Sequence, residues 1–269
     1  MNTENKIQLA VFDWAGTTVD YGSSAPMVVF EEVFADAGIS LARAQINGPM
    51  GMEKKAHIRS LLSLAAASEQ WNEKYGREWN EKDVEFLYEK FECRLAEVVA
   101  EFSKPIGGVI ETMAKLREMG IKIGSTTGYN AEMMKNVLPG AAEAGYTPDC
   151  VVTPDLTGKG RPTPFMLFEC MRQLDVHNVK SVVKVGDTIA DILEGKNAGA
   201  WSIGLLTGSN LLGLTQNEYE GMDRDKLAVL KNETARKYLE AGADLVIDNM
   251  LELPAAIETL NARMKKEKE

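Results

Sequence analysis

The chain is short of the residues that carry several common kinds of chemistry. Its three cysteines, Cys93, Cys150 and Cys170, are too few and too scattered across 269 residues for a disulfide framework or a paired-cysteine metal site. They are expected to be small buried hydrophobic groups. Only two histidines are present, His57 and His177, which excludes a histidine-rich zinc or iron centre. Positive charge is also scarce. Thirty lysines and arginines against forty aspartates and glutamates give a formal net charge of −10, which opposes non-specific binding to nucleic acid or to an anionic membrane. An anionic substrate would therefore need locally placed cations or a metal. No apolar run approaches the roughly 20 residues that cross a bilayer. The polar start MNTENK lacks the apolar stretch of a secretory signal, so a cytoplasmic protein is expected. Internal repeats and low-complexity segments are absent. The terminal KKEKE reads as a solvated helix end, with an interaction tail as the alternative.

What is present describes an ordinary globular protein, 45% hydrophobic and 26% charged. Its length exceeds the roughly 100 to 200 residues of one domain, which implies one large domain or a domain with an insert. The apolar run at residues 7–12 has strand length and stops at Asp13, where Gly16, Thr17 and Thr18 supply turn chemistry. Strand-like runs recur as IKIGST, VVT, SVVKVG, WSIGLL and ADLVI, separated by helical patterns. That alternation predicts an α/β fold, a doubly wound and mostly parallel sheet covered on both faces. Ligands in such sheets collect at the carboxyl ends of strands, where Asp13, Thr127 and Asp187 fall. Between residues 21 and 102 the strand pattern vanishes, and Met27, Phe30, Val33 and Phe34 recur at helical spacing. The expected organisation is a Rossmann-like core of residues 1–20 and 103–269 with an inserted helical cap of residues 21–102.

The candidate chemistry lies at those strand ends. Asp13, Asp187 and Asp191 can supply the few hard oxygens that Mg²⁺ takes, although Asp187 has the alternative use of a helix N-cap. Thr127, next to the flexible Gly128, offers a hydroxyl. Arg161 offers a guanidinium in a loop that Pro162 and Pro164 hold open, unless it is simply a surface arginine. Hydroxyl, backbone N–H and guanidinium match the oxygens of a phosphoryl group.

Aspartate, hydroxyl, cation and aspartate pair occur in an order that resembles the haloacid dehalogenase superfamily, and the match spans the whole core. The resemblance implies an aspartyl phosphate at Asp13, with Mg²⁺ held by the Asp13 carboxylate, the backbone carbonyl of Ala15 and Asp187, and with Asp191 supporting the metal's water shell. Two departures are informative. Most phosphatases of that superfamily carry a second aspartate where this chain has Ala15, and most have a lysine where it has Arg161. A ligand that acts through its backbone survives the change to alanine, but a general acid does not.

The insert supplies an answer in PMGMEKKAHIR, residues 49–59. Lys54 and His57 are three apart and share a helical face. A lysine amine can condense with a carbonyl to give an iminium, an electron sink that makes a carbon leaving group tolerable. DWAGTTVDYG, PMG-x-x-K-x-x-H, GSTTGY, GRP-x-P and VGDT together resemble the phosphonoacetaldehyde hydrolases of the superfamily. The resemblance implies P–C bond hydrolysis through a Schiff base on Lys54, chosen over Lys55 by the motif spacing, with His57 in proton transfer around the imine. His57 could instead fix the cap helix. Met50 and Gly51 would let the cap backbone approach the substrate, unless Met50 packs in the cap core, and Tyr129 either lines the pocket or buries its ring. The resemblance also suggests a homodimer through cap helices, with Trp71 or Trp79 exposed for it. The rivals are a phosphomonoesterase of the same superfamily and a catalytically silent phosphate-binding protein.

Overall fold

The computed structural model describes residues 6–266, so all but the last residue of MNTENK and the final three residues of KKEKE lie outside the described residues. The first strand, β1 (Leu9–Phe12), is buried along its whole length. It is followed by five helices, α1 (Ser24–Asp36), α2 (Arg43–Asn47), α3 (Lys54–Leu62), α4 (Ala65–Tyr75) and α5 (Glu81–Val98), before the alternation resumes. Then come α6 (Val109–Glu118), β2 (Lys122–Thr126), α7 (Ala131–Glu143), β3 (Cys150–Val152), α8 (Pro154–Thr157) and α9 (Phe165–Gln173). The remaining elements are β4 (Val182–Gly186), α10 (Ile189–Ala198), β5 (Trp201–Leu205), α11 (Gln216–Gly221), α12 (Arg224–Glu240), β6 (Leu245–Ile247) and α13 (Leu253–Lys266).

Among the described residues six strands form one sheet in the order β3-β2-β1-β4-β5-β6, and each pairing of neighbouring strands is parallel. β1 lies between β2 and β4, with Leu9 opposite both Lys122 and Val182. Because alternate side chains of a strand face opposite ways, β1 serves two cores. Ala10 and Phe12 pack with residues of α6 and α13, whereas Leu9 and Val11 pack with α9. The strand order reverses at β1, so the loops after β1, β2 and β4 converge on one edge of the sheet, where a doubly wound fold binds its ligand.

The helices between β1 and β2 carry their own apolar seam. α5 packs against α1 and α3, and Phe30, Leu61, Leu87 and Phe91 are buried. Two sequence expectations are corrected here. Trp71 is 1% exposed and stacks on Tyr75, so it belongs to the core and offers no free surface. Cys93 is exposed on the outer side of α5, while Cys150 and Cys170 are buried as expected. At helical spacing Cys93 falls two residues past Phe91, off the inward stripe.

Candidate active site

The loop after β1 turns sharply. Gly16 has φ of 86°, and a Cβ there would collide with the carboxylate of Asp187, lying 2.8 Å from its Cγ. Only glycine permits this approach of the two strand ends. Thr17 donates its hydroxyl to Asp187 Oδ1 at 2.6 Å, and the backbone N–H of Asn210 donates to Oδ2 at 2.9 Å. Asp187 is therefore fixed from two sides and is not the helix cap. Thr188 caps α10, its hydroxyl bonded to Asp191 Oδ2 at 2.6 Å.

Beneath this edge is a buried charge cluster. Arg161, 3% exposed, is no surface residue: Nη2 donates to Asp13 Oδ1 at 2.6 Å and Nη1 to Asp191 Oδ1 at 2.7 Å. Lys184, on the central strand β4, lies 2.9 Å from Asp191 Oδ1 and 3.2 Å from Glu194 Oε2. Glu194 also accepts the hydroxyl of Thr126 at 2.9 Å. Four buried carboxylates, Asp13, Asp187, Asp191 and Glu194, thus face two cations, Arg161 and Lys184.

The imbalance appears in the proton affinities. Burial, and then Asp13 and Asp191, push Asp187 well above the ordinary carboxylate range. Burial also raises Asp13 in spite of its contact with Arg161, and the nearby Asp191 adds to the rise. Asp191 is instead held low, because Arg161 and Lys184 overcome its burial. One oxygen each of Asp13, Asp187 and Asp191 lies within 4.8 Å of the others. A divalent cation there would balance the excess charge, and an all-oxygen donor set suits a hard ion. The cluster fits a metal ion.

The helical insert contributes the other wall. Glu53 caps α3, accepting the N–H groups of Lys55 and Ala56 at 2.9 Å each, and so fixes the direction in which Lys54 leaves the helix. Lys54 is 4% exposed, with Nζ 5.7 Å from the ring centroid of Phe30 and 5.2 Å from that of Tyr129. Burial lowers its pKa to about 8; Asp13 opposes the fall and Arg161 assists it. Lys55 points outward to Glu85 at 2.8 Å, away from Lys54. His57, fully buried, lies with Nε2 2.9 Å from the carbonyl of Ile46, while Nδ1 has no partner among the described residues. Burial and then Lys54 hold its pKa well below the ordinary value, so the ring is neutral and Nε2 is the nitrogen that donates.

Asp13, Ala15, Met50, Gly51, Lys54, Thr127, Gly128, Tyr129 and Thr188 line one cavity of about 20 Å³, room for little more than a water molecule. The insert is therefore closed on the sheet edge. Tyr129 is buried with its hydroxyl unpartnered among the described residues, and Thr127 accepts the Tyr129 N–H at 3.1 Å. The chain passes tightly across the closure. A Cβ on Gly128 would lie 2.7 Å from the carbonyl of Met52, and one on Gly51, at φ of 85°, would collide with Thr188 Oγ1 and lie 2.9 Å from its Cβ. We expect Gly51→Ala to lower turnover at least roughly tenfold and stability by about 1 to 2 kcal/mol. Thermal melts and steady-state kinetics check this, and wild-type values in both would contradict the close contact.

The cavity thus gathers the sequence candidates around Asp13 and Lys54, with Arg161, Asp187 and Asp191 in the charge cluster below and His57 behind Lys54 on α3. Sequence reasoning missed Lys184, Glu194, Ser23 and Asn210. A lysine inside the apolar run VVKVG was a signal, as was Glu194 one helical turn beyond Asp191. Ser23, whose hydroxyl donates to the Ala15 carbonyl at 3.0 Å, and Asn210 gave none.

The chain matches the family model described as haloacid dehalogenase-like hydrolase over residues 7–199. It is 48% identical to a phosphonoacetaldehyde hydrolase of Parabacteroides distasonis over 96% of this chain and 98% of that protein. With the phosphonoacetaldehyde hydrolase of Bacillus cytotoxicus the identity is 45%, over 94% of this chain and 96% of the relative. The crystal structure of a phosphonoacetaldehyde hydrolase-like protein from Oleispira antarctica superposes with a TM-score of 0.94 at 35% identity, covering 97% of this chain and 94% of that one.

Proposed function

Because this chain belongs to the haloacid dehalogenase-like hydrolases, and among them to the phosphonoacetaldehyde hydrolases, we propose that it hydrolyses the P–C bond of phosphonoacetaldehyde to acetaldehyde and phosphate. The observation that carries the mechanism is the shared cavity, lined on one side by Asp13 and on the other by a buried lysine with a lowered pKa. Among the described residues the Lys54 ammonium has no ion-pair partner, so its amine is free for a carbonyl.

Lys54 attacks the aldehyde carbon and water leaves, giving an iminium. Asp13 then attacks phosphorus through the oxygen that Arg161 does not hold. The P–C electron pair passes into the iminium, leaving an enamine on Lys54 and a phosphoryl group on Asp13. Protonation of the enamine carbon and addition of water release acetaldehyde from Lys54, and a second water frees phosphate from Asp13. The group that leaves phosphorus is carbon and not oxygen, so no acid is needed at Ala15 to protonate it. Arg161 and the hydroxyl of Thr127, with the backbone at Gly128, bind the phosphoryl oxygens. Met50, Gly51 and Tyr129 enclose the carbon end. His57 serves proton transfer around the imine, the role the resemblance implies, and its hydrogen bond to Ile46 orients the ring for it.

Mg²⁺ is the cation this site would take, held by Asp13, the Ala15 carbonyl and Asp187 with Asp191 in support, and when bound it neutralises charge on the phosphoryl group. Among the described residues no helix is long and apolar enough to cross a membrane. A cytoplasmic homodimer acting on a small phosphonate, with no membrane or nucleic-acid partner, completes the proposal. The test is phosphate release from phosphonoacetaldehyde and from an aryl phosphate, each with Mg²⁺ and with excess chelator. Turnover of the phosphonate alone, stopped by chelation, is expected. Preference for the aryl phosphate would indicate a phosphomonoesterase, and inactivity towards both a silent binding protein.

A further inference from the structure

A cavity of about 20 Å³ cannot admit a substrate, so the insert must open and reseat in each turnover. The structure contains a continuous path of hydrogen bonds across that closure. On the insert, His57 Nε2 donates to the carbonyl of Ile46 at 2.9 Å, which ties α3 and its lysine to the end of α2. The next residue, Asn47, receives the N–H of Met50 on its carbonyl at 3.1 Å, and so anchors the turn that presents Met50 and Gly51 to the cavity. Its side-chain Oδ1 accepts from Asn210 Nδ2 at 2.9 Å, across the boundary between insert and core. Asn210, 1% exposed, gives its backbone N–H to Asp187 Oδ2 at 2.9 Å. One amide thus contacts the insert through its side chain and an active-site carboxylate through its backbone.

We propose that Asn47 and Asn210 are positioning residues that form a closure latch, coupling the seating of Lys54 to the orientation of Asp187. When the insert closes, the Asn47–Asn210 bond draws the turn at Met50 and the helix bearing Lys54 into register with the loop that holds Asp187. Neither asparagine lines the reaction cavity, so the latch acts on the geometry of the site and not on the substrate. The opposite flank is tied separately, by Asn130 Nδ2 to Tyr88 OH at 2.8 Å, which leaves the insert partly held when the latch is lost.

The latch is tested by amide hydrogen exchange on the full-length protein in Mg²⁺ buffer, comparing wild type with Asn47→Ala, Asn210→Ala, the double variant and Asn47→Asp, which keeps the acceptor oxygen. A buried amide hydrogen bond across a two-state closure shifts the equilibrium up to about tenfold. Exchange over residues 48–57 should accelerate up to about tenfold in each alanine variant and no further in the double variant, with Asn47→Asp near wild type and β1 unchanged in all. In parallel, kcat/KM for phosphonoacetaldehyde should fall by a similar factor in the alanine variants and recover in Asn47→Asp. Unchanged exchange in Asn47→Ala, additive effects in the double variant, or failure of Asn47→Asp to restore protection would overturn the latch. The activity arm rests on the proposed substrate, but the exchange arm does not. A wild-type enzyme inactive on phosphonoacetaldehyde would count against the substrate while the exchange data still decided the latch.

Discussion

Lys54→Arg is expected to abolish turnover of phosphonoacetaldehyde, a loss of at least roughly a thousandfold or about 4 kcal/mol in the barrier. Arginine keeps the positive charge but cannot condense with the aldehyde, so the carbon leaving group loses its electron sink. Lys55→Arg should stay within about twofold of wild type, because that side chain is directed to Glu85 at the surface. The environment of Lys54 also sets a pH profile. Only the neutral amine is nucleophilic, and the pKa of Lys54 is lowered from 10.5 to about 8, burial being the main cause. The neutral fraction at pH 7 is then roughly a tenth, some 300 times that of an unperturbed lysine. The rate of imine formation should therefore rise with pH up to about 8 and level off above it. Borohydride reduction with substrate present should place the adduct on Lys54. An adduct on Lys55, an active Lys54→Arg enzyme, or a rate that falls from pH 6 to 8 would each rule out the assignment.

Asp13→Ala should remove phosphate release just as completely, since among the described residues Asp13 is the only carboxylate that lines the cavity, while Asp187 is held by Thr17 and Asn210, and Asp191 by Arg161, Lys184 and Thr188. The same substitution has an unusual expectation for stability. Truncating one partner of a buried ion pair ordinarily destabilises by about 3 to 5 kcal/mol. Here Arg161 retains Asp191 at 2.7 Å and Glu194 at 3.5 Å, and one of four crowded carboxylates is gone. In chelator, Asp13→Ala should melt no lower than wild type. The difference should reverse when Mg²⁺ is added, because the metal stabilises only the protein that still has the full carboxylate set. Residual phosphate release near the wild-type rate would exclude Asp13 as nucleophile. A melting temperature in chelator several degrees below wild type would show that the carboxylates are not in excess.

The architecture was largely legible in the sequence, for a local reason. Six apolar runs separated by helical spacing specify strands and crossovers, and the right-handed crossover rule then places the strand ends together. Asp13, Thr127 and Asp187 could be singled out as candidates because each follows a strand directly. Lys54 was singled out as a candidate by the motif that carries the family resemblance, and its separation from Lys55 by about 100° of helix follows from helix geometry alone. Arg161 was legible as a residue but not in its surroundings, because a loop arginine between prolines reads as solvent-exposed until the fold places Asp13 and Asp191 against it, 148 and 30 residues away. Trp71 and Cys93 were misjudged for a related reason: which face of a helix is covered depends on the neighbours that fold over it.

The sequence by itself determined the elements and their order and singled out the side chains proposed to react, since these depend on interactions within one strand, one helix or one turn. Only the tertiary structure decided how far the pKa of Lys54 is lowered, the low-lying Asp191 beside the raised Asp187, and the bond from Asn47 to Asn210 over 163 residues. Proton affinity follows from burial and from charges a few ångströms away, and those distances arise only when β1, β4 and the inserted helices are packed together.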